Sequence, residues 1–264
     1  MIKLIATDVD GTLGPVSTPT INPEYYTVMD ELLNRGFHVA VASGRHYPAL
    51  EALFSELGER LLYIADNGAQ VRDKDQDIYI SAMDLETSHE LVRDVRKMNN
   101  GCECAYCVPG LAYFTEKDKN AYNILKAMHY KCEMVSSLEE LDIPCIKMTV
   151  YHAEDAEGAT AEYFTPKWSK RLQVSCSGRV YMDVMNKGTN KGTALKKVQE
   201  YLGVTKEETM VFGDNSNDIE MFEQAYYSYA VGDARKEVQE HARFLAAPMC
   251  EDGVLQELKK LLNQ

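Results

Sequence analysis

Two stretches of the chain alternate short apolar runs with amphipathic helical segments, and that alternation leaves few folds open. Residues 2–7 (IKLIAT) form an apolar run that ends on Asp8, the pattern of a buried strand opening into a loop. Asn22 as N-cap and Pro23 at the first helical position lead into a helix with Tyr25, Val28, Met29, Leu32 and Leu33 on one face, before Gly36. Residues 37–42 are again apolar and β-prone, residues 47–57 read as a helix ending at Gly58, and residues 61–65 read as a third strand. A βαβαβ order predicts a parallel sheet with right-handed crossovers and a site at the carboxyl ends of its strands.

The same grammar returns after residue 186. A helix over about 191–201 precedes Gly203, a strand covers 209–212, a helix covers about 217–224, and a final helix carries Val254, Leu255, Leu258, Leu261 and Leu262 on one face. Between these stretches, amphipathic helices near 85–98 and 118–129 mix with alternating strands at 146–151 and 180–185. The expected architecture is α/β: a Rossmann-like, doubly wound parallel sheet built from residues 1–82 and 187–264, with an inserted α+β domain over 83–186.

Composition narrows the function. With 45% hydrophobic and 26% charged residues the chain matches an ordinary soluble globule, not a disordered, collagenous or disulfide-stapled one. A net charge of −13 repels phosphodiester backbones, so no nucleic-acid partner is expected. No stretch approaches the roughly 18 uncharged apolar residues that span a bilayer, so no membrane partner is expected either. Seven cysteines are an odd number, and Asp8 interrupts the amino-terminal run before a leader of useful length forms, which reads as a cytoplasmic chain. Nothing in the sequence fixes an oligomeric state.

The sharpest motif is Asp8-Val9-Asp10-Gly11-Thr12-Leu13 at the end of the first strand. A bland reading makes Asp10-Gly11 only a turn. The chemical reading is that Asp8, with a reference pKa near 3.9, is ionised at neutral pH and can attack phosphorus without a general base. Its approach to a phosphate meets repulsion of about 4 kcal/mol per charge pair at 4 Å and an effective dielectric of 20, so a divalent cation is needed. Asp10, to protonate a leaving alcohol, has to be neutral near pH 7, which asks for roughly 4 kcal/mol of environmental bias.

Further acidic ligands for such a cation stand at the end of a late strand, in Val211-Phe212-Gly213-Asp214-Asn215-Ser216-Asn217-Asp218. Asp214 and Asp218 offer carboxylate oxygens with no His or Cys nearby, which favours Mg²⁺ over zinc; an Asn/Asp-rich helix cap is the bland alternative. Ala42-Ser43-Gly44-Arg45 follows the second strand, where a hydroxyl and a backbone N–H reach an oxyanion. Lys191 opens a helix against its dipole, which a nearby anion would explain.

These four stations, in this order, resemble the haloacid dehalogenase superfamily of phosphohydrolases. The long insert between Ser43 and Lys191, and Asp66-Asn67-Gly68-Ala69 after the third strand, resemble its Cof-type branch with an α/β cap domain. The resemblance implies Asp8 as nucleophile and Asp10 as general acid and base. It also implies Mg²⁺ held by Asp8, the Asp10 carbonyl and Asp214, with Asp218 nearby. Ser43 and Lys191 would hold the phosphoryl group with Gly44 in the same turn, Asn217 would support Lys191 or the phosphate, and Asn67 and Arg45 would face substrate. The implied activity is hydrolysis of a small phosphorylated metabolite, a sugar phosphate above all, through an aspartyl-phosphate. A sugar phosphomutase and a non-catalytic phosphometabolite-binding protein are the alternatives.

Other features read as structural. Cys102, Cys104, Cys107 and Cys132 are poor zinc grammar and read as reduced thiols, and Cys145, Cys176 and Cys250 as core. The Tyr25-Tyr26 and Tyr226-Tyr227 pairs and Trp168 read as packing. His46 reads as a surface residue at a helix start or as a substrate contact.

Overall fold

A computed structural model describes residues 1–16, 20–176 and 179–263. The chain divides into two compact units, Met1–Tyr79 with Asn190–Gln264, and Ile80–Thr189. The first holds strands β1 (Leu4–Asp8), β2 (His38–Ala42), β3 (Leu62–Ala65), β4 (Gln70–Asp73) and β5 (Gln76–Ile80). The second adds β6 (Glu103–Val108), β7 (Leu111–Phe114), β8 (Cys132–Met134), β9 (Lys147–Tyr151), β10 (Gln173–Cys176) and β11 (Tyr181–Met185). The chain then completes the first unit with β12 (Thr209–Gly213), β13 (Tyr227–Ala230) and β14 (Phe244–Leu245).

The sheet of the first unit runs β14-β13-β12-β1-β2-β3-β4-β5. Its strands from β14 to β3 are parallel, and β4 turns antiparallel to β3. Side-chain alternation gives the sheet two apolar faces. Ile5, Val39, Val41 and Phe212 pack under helices Glu24–Asn34, Tyr47–Leu53 and Gly253–Leu262, while Leu4, Ala6, Ala40 and Val211 pack under Lys191–Leu202 and Ile219–Glu223. The protein is therefore a doubly wound α/β fold, as the strand–helix alternation predicts.

Several boundaries differ from expectation for local reasons. Asn22 Oδ1 accepts the Glu24 N–H at 3.0 Å, but the helix begins at Glu24 with Pro23, not Asn22, at the N-cap. The second helix stops at Leu53, because the Leu57 and Gly58 N–H groups both fold back on the Phe54 carbonyl at 2.9 Å. The sequence carries no strand pattern for the β4–β5 ribbon: its residues are mostly polar, and Lys74 at φ 53° turns between them.

The second unit is a sheet of order β10-β11-β9-β6-β7-β8, antiparallel except for the β7–β8 pair. One face, including Tyr106, Met148 and Val184, packs with Leu91, Val95, Phe164 and Trp168. The unit starts at 80 and ends at 189, three residues outside the expected 83 and 186 on each side. The reason is that its two entry segments bond to each other: Ser81 and Thr189 share a hydroxyl hydrogen bond of 2.7 Å, and the Asn186 amide donates to the Ala82 carbonyl.

Trp168 is fully buried and donates to Asp94 at 3.0 Å. Cys104, Cys107 and Cys145 are buried, but Cys176 and Cys250 are exposed, which corrects their reading as core. Cys176 ends a strand whose side chains are only partly covered, and Cys250 lies in a surface 3₁₀ turn. Burial pushes the Cys102 and Cys132 thiols up to about 11, so both stay protonated at neutral pH. Among the described residues no helix is long and apolar enough to cross a membrane.

Candidate active site

The pairing of β1 with β12 matches Thr7 to Phe212, so Asp8 and Asp214 leave neighbouring strands at the same sheet edge. Between their loops stands Lys191, the first residue of its helix and 1% exposed. Its Nζ donates to Asp8 Oδ1 at 2.5 Å and to Asp218 Oδ1 at 2.7 Å. The anions that justify a lysine at a helix start are thus two carboxylates of the chain itself. Asp218 Oδ2 accepts the backbone N–H groups of Asp214 and Asn215, each at 3.0 Å, and so ties the loop after β12 to Lys191.

One ligand atom from each of Asp8, Asp214 and Asp218 lies within 4.8 Å of the others. All three are carboxylate oxygens, a donor set that fits a hard dication such as Mg²⁺ better than zinc. Thr12 Oγ1 donates to Asp214 Oδ1 at 2.7 Å and aims that side chain. Gly11 is required twice over: its φ is +95°, and a Cβ there would lie 2.4 Å from Asp214 Oδ2. Thr12 carries no assigned role in the sequence reading, although it sits inside the first motif; its position beside the acidic residues was the available signal.

The second cluster gathers on Asp10. Arg45 clasps it with both prongs, Nε to Oδ2 at 2.8 Å and Nη2 to Oδ1 at 2.6 Å. Ser43 Oγ lies 3.4 Å from Asp10 Oδ2 and accepts the Arg45 backbone N–H at 3.1 Å. Asn217 donates to Asn67 Oδ1 at 3.0 Å, and Asn67 in turn lies against Gly44, where a Cβ would approach it to 3.1 Å. The sequence-predicted residues thus fall into two groups: Asp8, Lys191, Asp214 and Asp218 in one, and Asp10, Ser43, Gly44, Arg45, Asn67 and Asn217 in the other. Asp10 joins them through the β1 loop. His46 departs from its reading as a surface residue or substrate contact: it is 0% exposed, and Nδ1 meets Asp66 Oδ2 at 2.7 Å.

Burial dominates the charge states. It pushes the Asp8 carboxyl well above the ordinary range; Lys191 opposes the rise, while Asp218 and Asp214 add to it. Burial therefore works against the ionised Asp8 that the sequence leads one to expect, and the Lys191 ammonium works for it. Burial also raises Asp214, against the Thr12 hydrogen bond. For Lys191, burial works to lower the ammonium, but Asp218 and Asp8 outweigh it and raise it above its ordinary value. Three carboxylates, those of Asp8 and Asp218 buried and that of Asp214 half-buried, facing one lysine leave the group short of positive charge, which a dication would supply.

A family model described as haloacid dehalogenase-like hydrolase matches residues 5–258. The 5-amino-6-(5-phospho-D-ribitylamino)uracil phosphatase YbjI of Escherichia coli is 25% identical over 99% of this chain and 97% of its own length. A crystal structure from Eubacterium rectale is 34% identical with a TM-score of 0.91, covering 98% of this chain and 99% of that one. The structure of the subclass IIB sugar phosphatase BT4131 is 25% identical with a TM-score of 0.81, covering 98% of both chains.

Proposed function

Because the chain belongs to the haloacid dehalogenase-like hydrolases and is a phosphatase of small phosphorylated metabolites, we propose that it is a Mg²⁺-dependent phosphomonoesterase acting on sugar phosphates through a phosphoryl group carried on Asp8. The observation that carries this reading is the meeting of Asp8, Asp214 and Asp218 within 4.8 Å around the Lys191 ammonium. Two relatives support the substrate class, one named for a phosphoribityl compound and one as a sugar phosphatase.

Asp8, Asp214 and the Asp10 carbonyl would hold the cation, with Asp218 completing the acidic group. When bound, the cation neutralises charge on Asp8 and on the phosphoryl oxygens. Lys191 holds one Asp8 oxygen and orients the carboxylate for in-line attack. An Asp8 oxygen bonds to phosphorus as the bond to the leaving oxygen breaks, and that oxygen takes a proton from Asp10. In the second half Asp10 takes a proton from water, the water oxygen bonds to phosphorus, and the bond to Asp8 breaks to release orthophosphate. The Ser43 hydroxyl and the Ser43-Gly44 turn serve the equatorial oxygens, and Asn67 and Arg45 face the substrate.

Two measurements test the proposal. Phosphate release from a panel of sugar phosphates should require Mg²⁺ and stop with EDTA. Acid quench during turnover of a labelled sugar phosphate should leave label on the peptide containing Asp8. Turnover with no labelled peptide, or label on another residue, removes Asp8 from the nucleophile's role.

A further inference from the structure

Two side chains beside this site, His46 and Asp66, are buried and ionisable, and the mechanism uses neither. His46 directly follows Arg45, and Asp66 directly precedes Asn67. Each is 0% exposed, and their hydrogen bond of 2.7 Å spans the loops after β2 and β3. The two loops are also stitched through the backbone: the Asp66 N–H donates to the Arg45 carbonyl and the Asn67 N–H to the Ser43 carbonyl, each at 2.9 Å.

The stitched segment is strained. Asp66 and Asn67 stand at φ 51° and 54°, two successive side-chain-bearing residues in the left-handed region, and Gly68 follows at φ 96°. Such conformations cost on the order of 1–3 kcal/mol each and persist where surrounding bonds over-determine them. Asn67 uses this backbone to set its carboxamide against Gly44 and under the Asn217 amide. Burying a histidine and a carboxylate is a poor route to stability, since an apolar pair of similar volume does as well or better. The placement makes sense where the direction of the neighbouring side chains is what matters.

We propose that His46 and Asp66 are a positioning pair: their buried bond locks the Ser43–His46 turn onto the Asp66–Gly68 turn and so sets how Arg45 meets Asp10 and where Asn67 presents its amide. The consequence for catalysis rests on the phosphatase reading above; the locking of the two turns does not. The mechanism above gives neither residue a part in binding or transferring the phosphoryl group, so both act through their neighbours.

Two pairs of variants separate positioning from packing. His46→Leu removes the donor while filling the space, and His46→Asn keeps a donor near the Nδ1 position. Asp66→Gly tolerates the left-handed backbone but removes the acceptor, whereas Asp66→Asn keeps both. With Mg²⁺ and a sugar phosphate, the Leu and Gly variants should lose about 10–100-fold in kcat with KM changed by no more than about threefold, and the Asn variants should recover most of it. Hydrogen exchange at 43–46 and 66–68 should quicken by about 10-fold or more in the Leu and Gly variants alone. Folded Leu and Gly variants with unchanged kcat, Asn variants no better than their partners, or unchanged exchange overturn the proposal. If His46→Leu fails to fold, the Asp66 pair decides. A wild-type protein that releases no phosphate with Mg²⁺ defeats the phosphatase reading, while exchange still decides whether the pair locks the turns.

Discussion

For a carboxylate 4% exposed, with two others beside it and one lysine between them, burial and its acidic neighbours oppose ionisation while the lysine favours it. Asp8 and Asp214 bind protons more tightly folded than unfolded, so their contribution to stability is present below the unfolded values and is lost as pH rises through the raised folded ones. Mg²⁺ held there as proposed would compete with those protons, so the gain in Tm on adding Mg²⁺ should grow from about pH 5 to about pH 8. Thermal melts at the two pH values check this, and an equal gain at both counts against these carboxylates as ligands. Asp8→Asn should lower hydrolysis by on the order of 10⁴-fold with an unchanged circular dichroism spectrum, since the amide keeps the shape and loses the proposed nucleophile. Asp214→Ala should move the Mg²⁺ activation curve at least about 10-fold to higher concentration; an unchanged titration removes it from the ligand set. Every acidic partner in the cluster was legible, because carboxylates at strand ends carry their own chemical signature. The His46–Asp66 pair was not, because nothing in a Ser-Gly-Arg-His run says that the histidine turns inward to meet a residue 20 positions on.

Helix Lys191–Leu202 carries the lysine into the site, and Gly192 lets it do so. A Cβ at 192 would lie 2.2 Å from the Glu220 carbonyl oxygen, backbone of the neighbouring helix Ile219–Glu223. Gly192→Ala should cost about 1–3 kcal/mol, at roughly 2–4 °C of Tm per kcal/mol, and should lower kcat as the helix start shifts. A melt and a rate at saturating substrate measure both; an unshifted Tm refutes the close approach. The elements easiest to read were those whose apolar spacing and cap agreed. Helix Leu85–Met98 follows Asp84, whose side chain accepts the Thr87 N–H, and it ends at the left-handed Asn99. The β4–β5 ribbon escaped because it sits at the sheet edge, where a strand needs no continuous apolar run.

For the whole molecule, the two compact units have separate apolar clusters, and the single Trp of the chain, Trp168, lies in the cluster of the second. Its fluorescence reads that unit, whereas the carboxylate cluster belongs to the other. In urea, Mg²⁺ should therefore raise the midpoint seen by far-ultraviolet circular dichroism more than the midpoint seen by Trp168 fluorescence. Equal shifts would mean that the molecule unfolds as one cooperative body. The two-part plan was legible in the change of grammar between the strand–helix alternation and the mixed segment, but most strands of the second unit were not. β6 is buried on every residue, which hides the period of two that a half-exposed strand displays.

The sheet order also sets a timetable. β1 lies between β2, which follows within some forty residues, and β12, which arrives only after the whole second unit has been made. A nascent chain that has left the ribosome as far as Thr189 owns Asp8, Asp10 and Arg45 but neither Lys191 nor Asp214. Until β12 docks, such a chain would show the exposed edge of β1 to its surroundings, and on the proposed mechanism it would be unable to cleave anything it met.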